Sequence, residues 1–385
     1  MYVLQPHLGR KQSILPTGVG DMENVARRTS FASSSFSDDH SEGHHSHRRG
    51  PYIAGNLKLI ETIECSNDVM CCRFNENGSH LAVGLIDGTI KIYETDPYTF
   101  NCLYSLQDED TSKRPLPVTQ IRFRAYESGE KVEYSHILIA SYASGMVKFW
   151  HYSSGKSLHT IKEPSTTQIL TLAINPQNTH FITSGDNPHI HQYDIHTFQL
   201  VNTFFPSDGK EIMDGHRCRV FAVQYHPTTD HTFISGGWDN TVQYWDDREK
   251  HSVKRISGPH ICGDALDIDP KHDHILTGSW RKEKTLQIWD FPSGEWIKDV
   301  PQEPMNSSQI YCCQWLGTDS IICGGTDQNM ARVIDRGTLN TTGQLVDLPQ
   351  SVYCIDNNHH GHHPITAIGS NKFIFLVKEE KQTTS

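Results

Sequence analysis

The chain has 385 residues and carries 34 Lys and Arg against 45 Asp and Glu, a formal net charge of −11 that disfavours nucleic acid as the main partner, because phosphate binding needs a cationic surface. Apolar residues make up 36% and the mean hydropathy is −0.52, so part of the chain is expected to stay outside any core. No apolar run is long enough to span a membrane, the opening "MYVLQPHLGRKQ" has no signal-type apolar stretch, and the ten cysteines include no Cys-x-x-Cys pair.

These features point to a protein that stays inside the cell, cytoplasmic with the nucleus also open, whose thiols are reduced. Residues 1–55 form the first segment. Their centre, "DMENVARRTSFASSSFSDDHSEGHHSHRRG", is crowded with Ser, His and charge and nearly empty of aliphatic side chains, so it cannot offset the entropy of ordering. A disordered Ser/His/Arg-rich tail is expected there. Within it Arg27 and Arg28 precede Thr29-Ser30, the pattern basophilic kinases favour, and Ser30 is the candidate phosphorylation site.

From Lys58 the texture changes to short β-branched and aromatic runs separated by Gly, Asn, Asp and Pro, with no helical periodicity. An apolar-x-x-apolar-x-apolar strand recurs as Val69, Cys72, Phe74; Val118, Ile121, Phe123; Ile169, Leu172, Ile174; Val220, Val223, Tyr225; and Ile310, Cys313, Trp315. Two weaker copies have Gly263 in place of the first apolar residue, before Leu266 and Ile268, and Asn357 in place of the last, after Val352 and Ile355. Each copy leads into a small-residue strand, a tight turn and a further strand, as in "FISGGWDNTVQYWD". The closing positions Tyr93, Trp150, Tyr193, Trp245, Trp289, Ile334 and Leu376 recur every 42 to 57 residues. That is the period of a four-stranded propeller blade with insertions.

On these seven copies, residues 56–380 resemble the WD40-repeat (β-transducin-like) family, whose fold is an all-β propeller, here of seven blades. Residues 381–385 are left as a short C-terminal tail. In that family each blade is held by a buried hydrogen-bond chain, and the fourth blade matches all four of its members: His216, Ser235, Asp239 and Trp245. The chemistry stands without the family, because Asp239 orients the imidazole, the imidazole meets the Ser hydroxyl, and the hydroxyl meets the indole N–H. His216 is therefore read as structural. The fifth blade keeps only Thr277 and Trp289, and the first has Asp87 and Tyr93 with Val83 at the hydroxyl position, so both are expected to rely on packing.

An open sheet edge invites aggregation, and family members close the ring by lending the N-terminal strand to the last blade. The strand "KLIETIE" at 58–64 is spare at the start and one strand is missing at the end, which fits closure.

Loops entering the innermost strands, and turns after the second strands, fall on one face, called the top. Several long insertions lie there: 107–117, 206–215, 301–309 and the turn "RKEK". The family's ligand-reading positions align with Asp68, Met70, Arg219, Phe221, Trp238, Trp280, Tyr311, Thr326 and Tyr353. Trp238 and Trp280 begin turns where the indole is expected to face solvent, a composition suited to a protein partner.

The resemblance thus implies a non-enzymatic scaffold or adaptor that grips a protein partner on the top face, a monomeric propeller within a larger complex. The box Trp245-Asp246-Asp247-Arg248 is similar to one with which some propellers dock on the adaptor of cullin-RING ubiquitin ligases. The alternative reading is therefore a substrate receptor docking through Asp246 and Arg248. Histidines cluster in the tail and at 357–364 without a carboxylate or thiolate framework, so no metal site is assigned, and no cofactor. An enzyme would need acids converging on the central channel, where Asp267 reads as an isolated carboxylate.

Overall fold

The computed structural model describes residues 50–95, 99–125, 136–163, 168–209, 212–303, 307–326, 329–361 and 364–380. Seven antiparallel sheets follow one another along the chain and form the blades of a propeller. Their innermost strands are Val69–Phe74, Val118–Phe123, Ile169–Ile174, Val220–Tyr225, Leu266–Asp269, Gln309–Leu316 and Val352–Asn357. The seven copies read from the sequence are these strands.

The apolar-x-x-apolar-x-apolar pattern departs from the strict alternation of a flat strand, and the register explains it. Six of the seven innermost strands shift register just after the first apolar residue, as between Val69 and Cys71 or Val220 and Ala222. One residue is bulged out there, so the first, fourth and sixth positions turn to the same side. Val69, Cys72 and Phe74 accordingly pack together against Cys354 and Ala367 of the seventh blade. Cys71 faces the other way, toward Val118 and Ile121 of the second. The fifth innermost strand pairs only from Leu266; before it Gly263 packs on the sixth blade, where an added Cβ would stand 2.3 Å from the Tyr311 carbonyl.

Closure takes two strands. The strand β2 (Leu57–Glu64) runs antiparallel to the third strand of the seventh blade (Phe373–Glu379), pairing Leu57 with Glu379 and Glu64 with Phe373. The expected assignment of 58–64 to the last blade is what the structure shows. Before it, β1 (Tyr52–Gly55) adds a fifth strand to the sixth blade, pairing Tyr52 with Val346 and Gly55 with Gly343. This strand lies inside the segment expected to be unstructured; its four residues have no alternation and a glycine, too little pattern to read alone. Asn56 joins the two, donating its N–H to Thr342 O at 2.8 Å in the sixth blade and accepting from Glu380 N at 2.8 Å beyond the seventh. Gly55 makes the crossing at φ +78°, where an added Cβ would sit 2.3 Å from the Thr342 carbonyl.

The core is distributed between blades. Its largest fully buried members are Trp150 and Trp245, each on a third strand. Among the described residues no helix is long and apolar enough to cross a membrane.

Candidate functional site

The quartet in the fourth blade is assembled. His216 Nδ1 lies 2.9 Å from Asp239 Oδ2, its Nε2 lies 2.7 Å from Ser235 Oγ, and Trp245 Nε1 donates to the same Oγ at 2.7 Å. Burial would raise the Asp239 carboxyl, but His216, the Arg217 N–H and Thr241 outweigh it and hold it below the ordinary value. His216, Ser235 and Trp245 show no exposure, so the set braces the sheet and is closed to a substrate.

The blades expected to rely on packing are braced differently, which corrects that reading. Trp289 Nε1 donates to Thr277 Oγ1 at 3.0 Å in the fifth blade, and Tyr93 OH meets Cys65 Sγ at 3.6 Å in the first. In the second blade Trp150 Nε1 finds Tyr142 OH at 3.0 Å. In the third, buried Glu163 accepts from Thr183 and contacts His191. Thr277 and Trp289 are the two members the motif kept; motif matching missed the others because the partner is a different residue type at a nearby position, while the physical demand on a buried donor is the same.

The quartet also places the top face. Asp239 anchors the turn that Trp238 opens, and Gly237 lets that turn lie on the innermost strand: a Cβ there would stand 2.1 Å from the Arg219 carbonyl, which accepts from Trp238 N at 3.1 Å. Trp238 stacks on Phe221 (centroids 5.3 Å, 27° between planes), and the Arg219 guanidinium lies 5.4 Å from its ring centroid. It also stacks on His260 (6.4 Å, 13°). The series resumes with Trp280 stacked on Tyr311 (6.5 Å, 22°) and Tyr311 tilted against Tyr353 (5.2 Å, 34°). Six rings from the fourth to the seventh blade thus line one side of the rim.

Of the nine predicted positions, Arg219, Phe221, Trp238, Trp280, Tyr311 and Tyr353 come together in this arc. Asp68 lies near Tyr353, with its carboxyl raised by burial. Met70 and Thr326 are half-buried and stand outside the ring series. Trp280 is 38% exposed, as expected of a solvent-facing indole. Trp238 departs from that expectation: it is half-buried, and its Nε1 reaches Cys262 Sγ at 3.0 Å. His260 and Cys262 belong to the same rim and were missed, since "GPHIC" carries no motif.

Described parts of three insertions around the rim are tied down. Residues 107–117 contain a one-turn helix, α1 (Glu109–Lys113), with Asp108 as its cap. Lys148, fully buried on a third strand, reaches Asp108 at 2.6 Å, Asp110 at 2.9 Å and Thr160 at 3.1 Å. Arg217 gathers the carbonyls of Ser207, Gly209 and Ile212 at 2.8 to 3.1 Å, holding the second insertion. Arg332 donates to Pro301 O at 2.9 Å, holding the start of the third. Fixed loops on a rigid frame present a surface that loses little entropy on binding.

The channel interior differs from the expectation. At the fifth position of the seven innermost strands stand Arg73, Arg122, Ala173, Gln224, Asp267, Gln314 and Asp356. Asp267 is not isolated. Arg73 bridges Asp356 at 2.8 Å and Asp264 at 3.1 Å; Gln120 also reaches Asp264 at 2.9 Å, and Gln314 reaches Asp356 at 3.0 Å. Asp264 was missed because it lies in the irregular start of the fifth strand. Burial pushes Asp267 up to about 7, although it accepts from Trp315 N at 2.8 Å. Among the described residues no group of three or more His, Cys, Asp or Glu is placed to hold a metal ion.

At the opposite end, Arg248 folds back on Asp246, with Nε at 2.8 Å and Nη2 at 2.6 Å from its two oxygens, while its side chain stays 68% exposed. Ser30, the tail histidines, His362, His363 and residues 381–385 lie outside the described residues.

The family model described as "WD domain, G-beta repeat" matches residues 57–94 and 207–246, the first of which opens on the closing strand while the second ends on the fourth-blade quartet. Similar proteins include cleavage stimulation factor subunit 50 of Arabidopsis thaliana, 25% identical over 199 residues, which are 50% of this chain and 43% of that protein. A guanine nucleotide-binding protein subunit beta of Arabidopsis thaliana is 23% identical over 280 residues, 68% of each chain. Periodic tryptophan protein 1 homolog of Drosophila melanogaster is 24% identical over 245 residues, 61% of this chain and 50% of that protein. The match to the first of these thus spans less than half of that relative's length.

Proposed function

The chain belongs to the WD40-repeat family of β-propellers, and we propose that it works as a non-enzymatic scaffold or adaptor that holds a protein partner on the top face. The arc of Phe221, Trp238, His260, Trp280, Tyr311 and Tyr353 carries this reading, because stacked and partly exposed rings beside Arg219 give the contact area and low ordering cost of binding hot spots. The anchored insertions supply a fixed border to it. The quartet and the paired channel residues are spent on structure, which supports a role without catalysis. The ten free thiols support an intracellular setting.

The test is proximity labelling in cells with the intact chain beside a Trp280→Ala/Tyr311→Ala variant. Neighbours lost from the variant, with its unfolding midpoint unchanged, support the reading; an unchanged neighbour list overturns it.

The exposure of Arg248 favours a second reading, in which this turn docks a ubiquitin-ligase adaptor. Asp246 competes for the guanidinium, so a partner must replace a two-pronged bond already made. Retention of the adaptor by Arg248→Ala ends this alternative.

A further inference from the structure

The channel holds two guanidiniums, Arg73 and Arg122, and only the first is in contact with carboxylates. Asp264 and Asp356 both face Arg73, which is thereby neutralised from two sides. Arg122, one blade further on, has no carboxylate in contact among the described residues: its Nη1 donates to the carbonyl of its neighbour Ile121 at 2.9 Å, and Asp264 and Asp356 act on it only at longer range. Burial, and then the nearby Arg73, outweigh the attraction of Asp264 and Asp356 and pull its guanidinium down to about 10, so the site disfavours the charge it holds.

Beside Arg122 the third blade contributes Ala173, whose small side chain opens a notch of about 270 Å³ between Arg122 and Gln224, walled by Pro176, Tyr225 and Pro227. Through Gln224 and Pro227 the notch adjoins a larger channel cavity of about 330 Å³ on the side of Asp264 and Asp267.

We propose that this notch, at the end of the channel where the innermost strands finish, is a binding site for a single carboxylate group, gripped by the Nε and Nη2 edge of Arg122. The planar fork matches a carboxylate in a two-pronged bond, the Gln224 amide adds a donor, and the group gives the guanidinium the close anion it lacks. A phosphate dianion fits less well, because one guanidinium must balance two charges in front of Asp264, Asp267 and Asp356. The carboxylate comes from a small dicarboxylic acid or from an acidic side chain entering the channel mouth. The site lies away from the aromatic rim and does not depend on the partner proposed there.

The test uses the full chain, following the Arg122 side-chain N–H signal by NMR, assigned by its loss in Arg122→Gln. Three probes are titrated at matched ionic strength: glutarate, a capped Gly-Gly-Glu-Gly-Gly peptide, and inorganic phosphate. Saturable binding of glutarate or the peptide supports the site, and whichever binds more tightly identifies the source of the carboxylate. Binding should weaken at least about tenfold in Arg122→Gln, as read by the remaining amide shifts, which corresponds to one charge-assisted pair. Ala173→Leu, which keeps the guanidinium and fills the notch, should block binding independently. A purely structural arginine would make Arg122→Gln less stable; here its unfolding midpoint is expected to hold or rise, because the burial of the charge and its repulsion from Arg73, which outweigh the attraction of Asp264 and Asp356, are gone. Phosphate binding more tightly than both acids, a response that never saturates, or equal binding by Ala173→Leu overturns the proposal.

Discussion

Ser235→Ala is the sharpest probe of how this fold is held. Ser235 Oγ is the hub of the quartet, 2.7 Å from both His216 Nε2 and Trp245 Nε1, and all three side chains are buried without exposure. Removing the hydroxyl strands two buried polar atoms, an imidazole nitrogen and an indole N–H. At about 1–3 kcal/mol for each stranded group the loss is about 2–6 kcal/mol. The fifth blade provides the internal control, since Thr277 Oγ1 serves Trp289 Nε1 and no histidine. Thr277→Val strands one group and should cost about 1–3 kcal/mol, near half as much. Urea unfolding of both variants, with fluorescence and circular dichroism transitions required to coincide and the m-value held, gives the comparison. A cost for Ser235→Ala below about 1 kcal/mol, or no larger than that of Thr277→Val, refutes the hub argument.

Two acids should shape the pH profile in opposite directions. Asp239 is held below its ordinary value, so its contribution is complete above that value and is lost as pH falls through the lower folded one; Asp239→Asn should flatten this acid limb. Asp267, raised to about 7 from the ordinary 3.8, keeps a proton in the folded chain that the unfolded chain has released, so stability falls as pH rises through that window. Asp267→Asn should remove that slope in a series of unfolding curves, and an unchanged slope would contradict the burial of this carboxyl. Lys148→Met should free α1, since Asp108 and Asp110 are partly exposed and are then solvated; faster protease cleavage within residues 107–117, with little change in global midpoint, is the expected result. Deleting the chain through Gly55 should lower the melting temperature modestly, whereas deletion through Glu64 bares the outer edge of the seventh blade and should yield aggregates on size exclusion.

Local pattern along the chain determines the architecture. Apolar residues at the first, fourth and sixth positions of each innermost strand, a glycine-rich second strand and a closing aromatic or aliphatic position are constraints on single strands and turns, and seven copies of them add up to a ring. The spare strand at 58–64 was legible for the same reason, because counting strands needs no geometry. The fourth-blade quartet was legible because each of its members has the residue type its bond requires.

What the sequence left open depends on neighbours distant along the chain. The bulge that makes the spacing work is a property of strand pairing, and β1 exists only because the sixth blade offers Gly343 to Val346 an edge to fill. Tyr142 serves Trp150, and Cys65 serves Tyr93, because a buried donor takes whatever acceptor the packing brings near. Asp264, Asp356 and Arg73 meet in the channel although each is unremarked on its own strand, since the ring sets side by side residues that are as much as 283 positions apart. Periodicity along one strand carries no information about which charges a closed toroid turns toward its axis, so only the tertiary structure decided that Arg73 touches two carboxylates and Arg122 none.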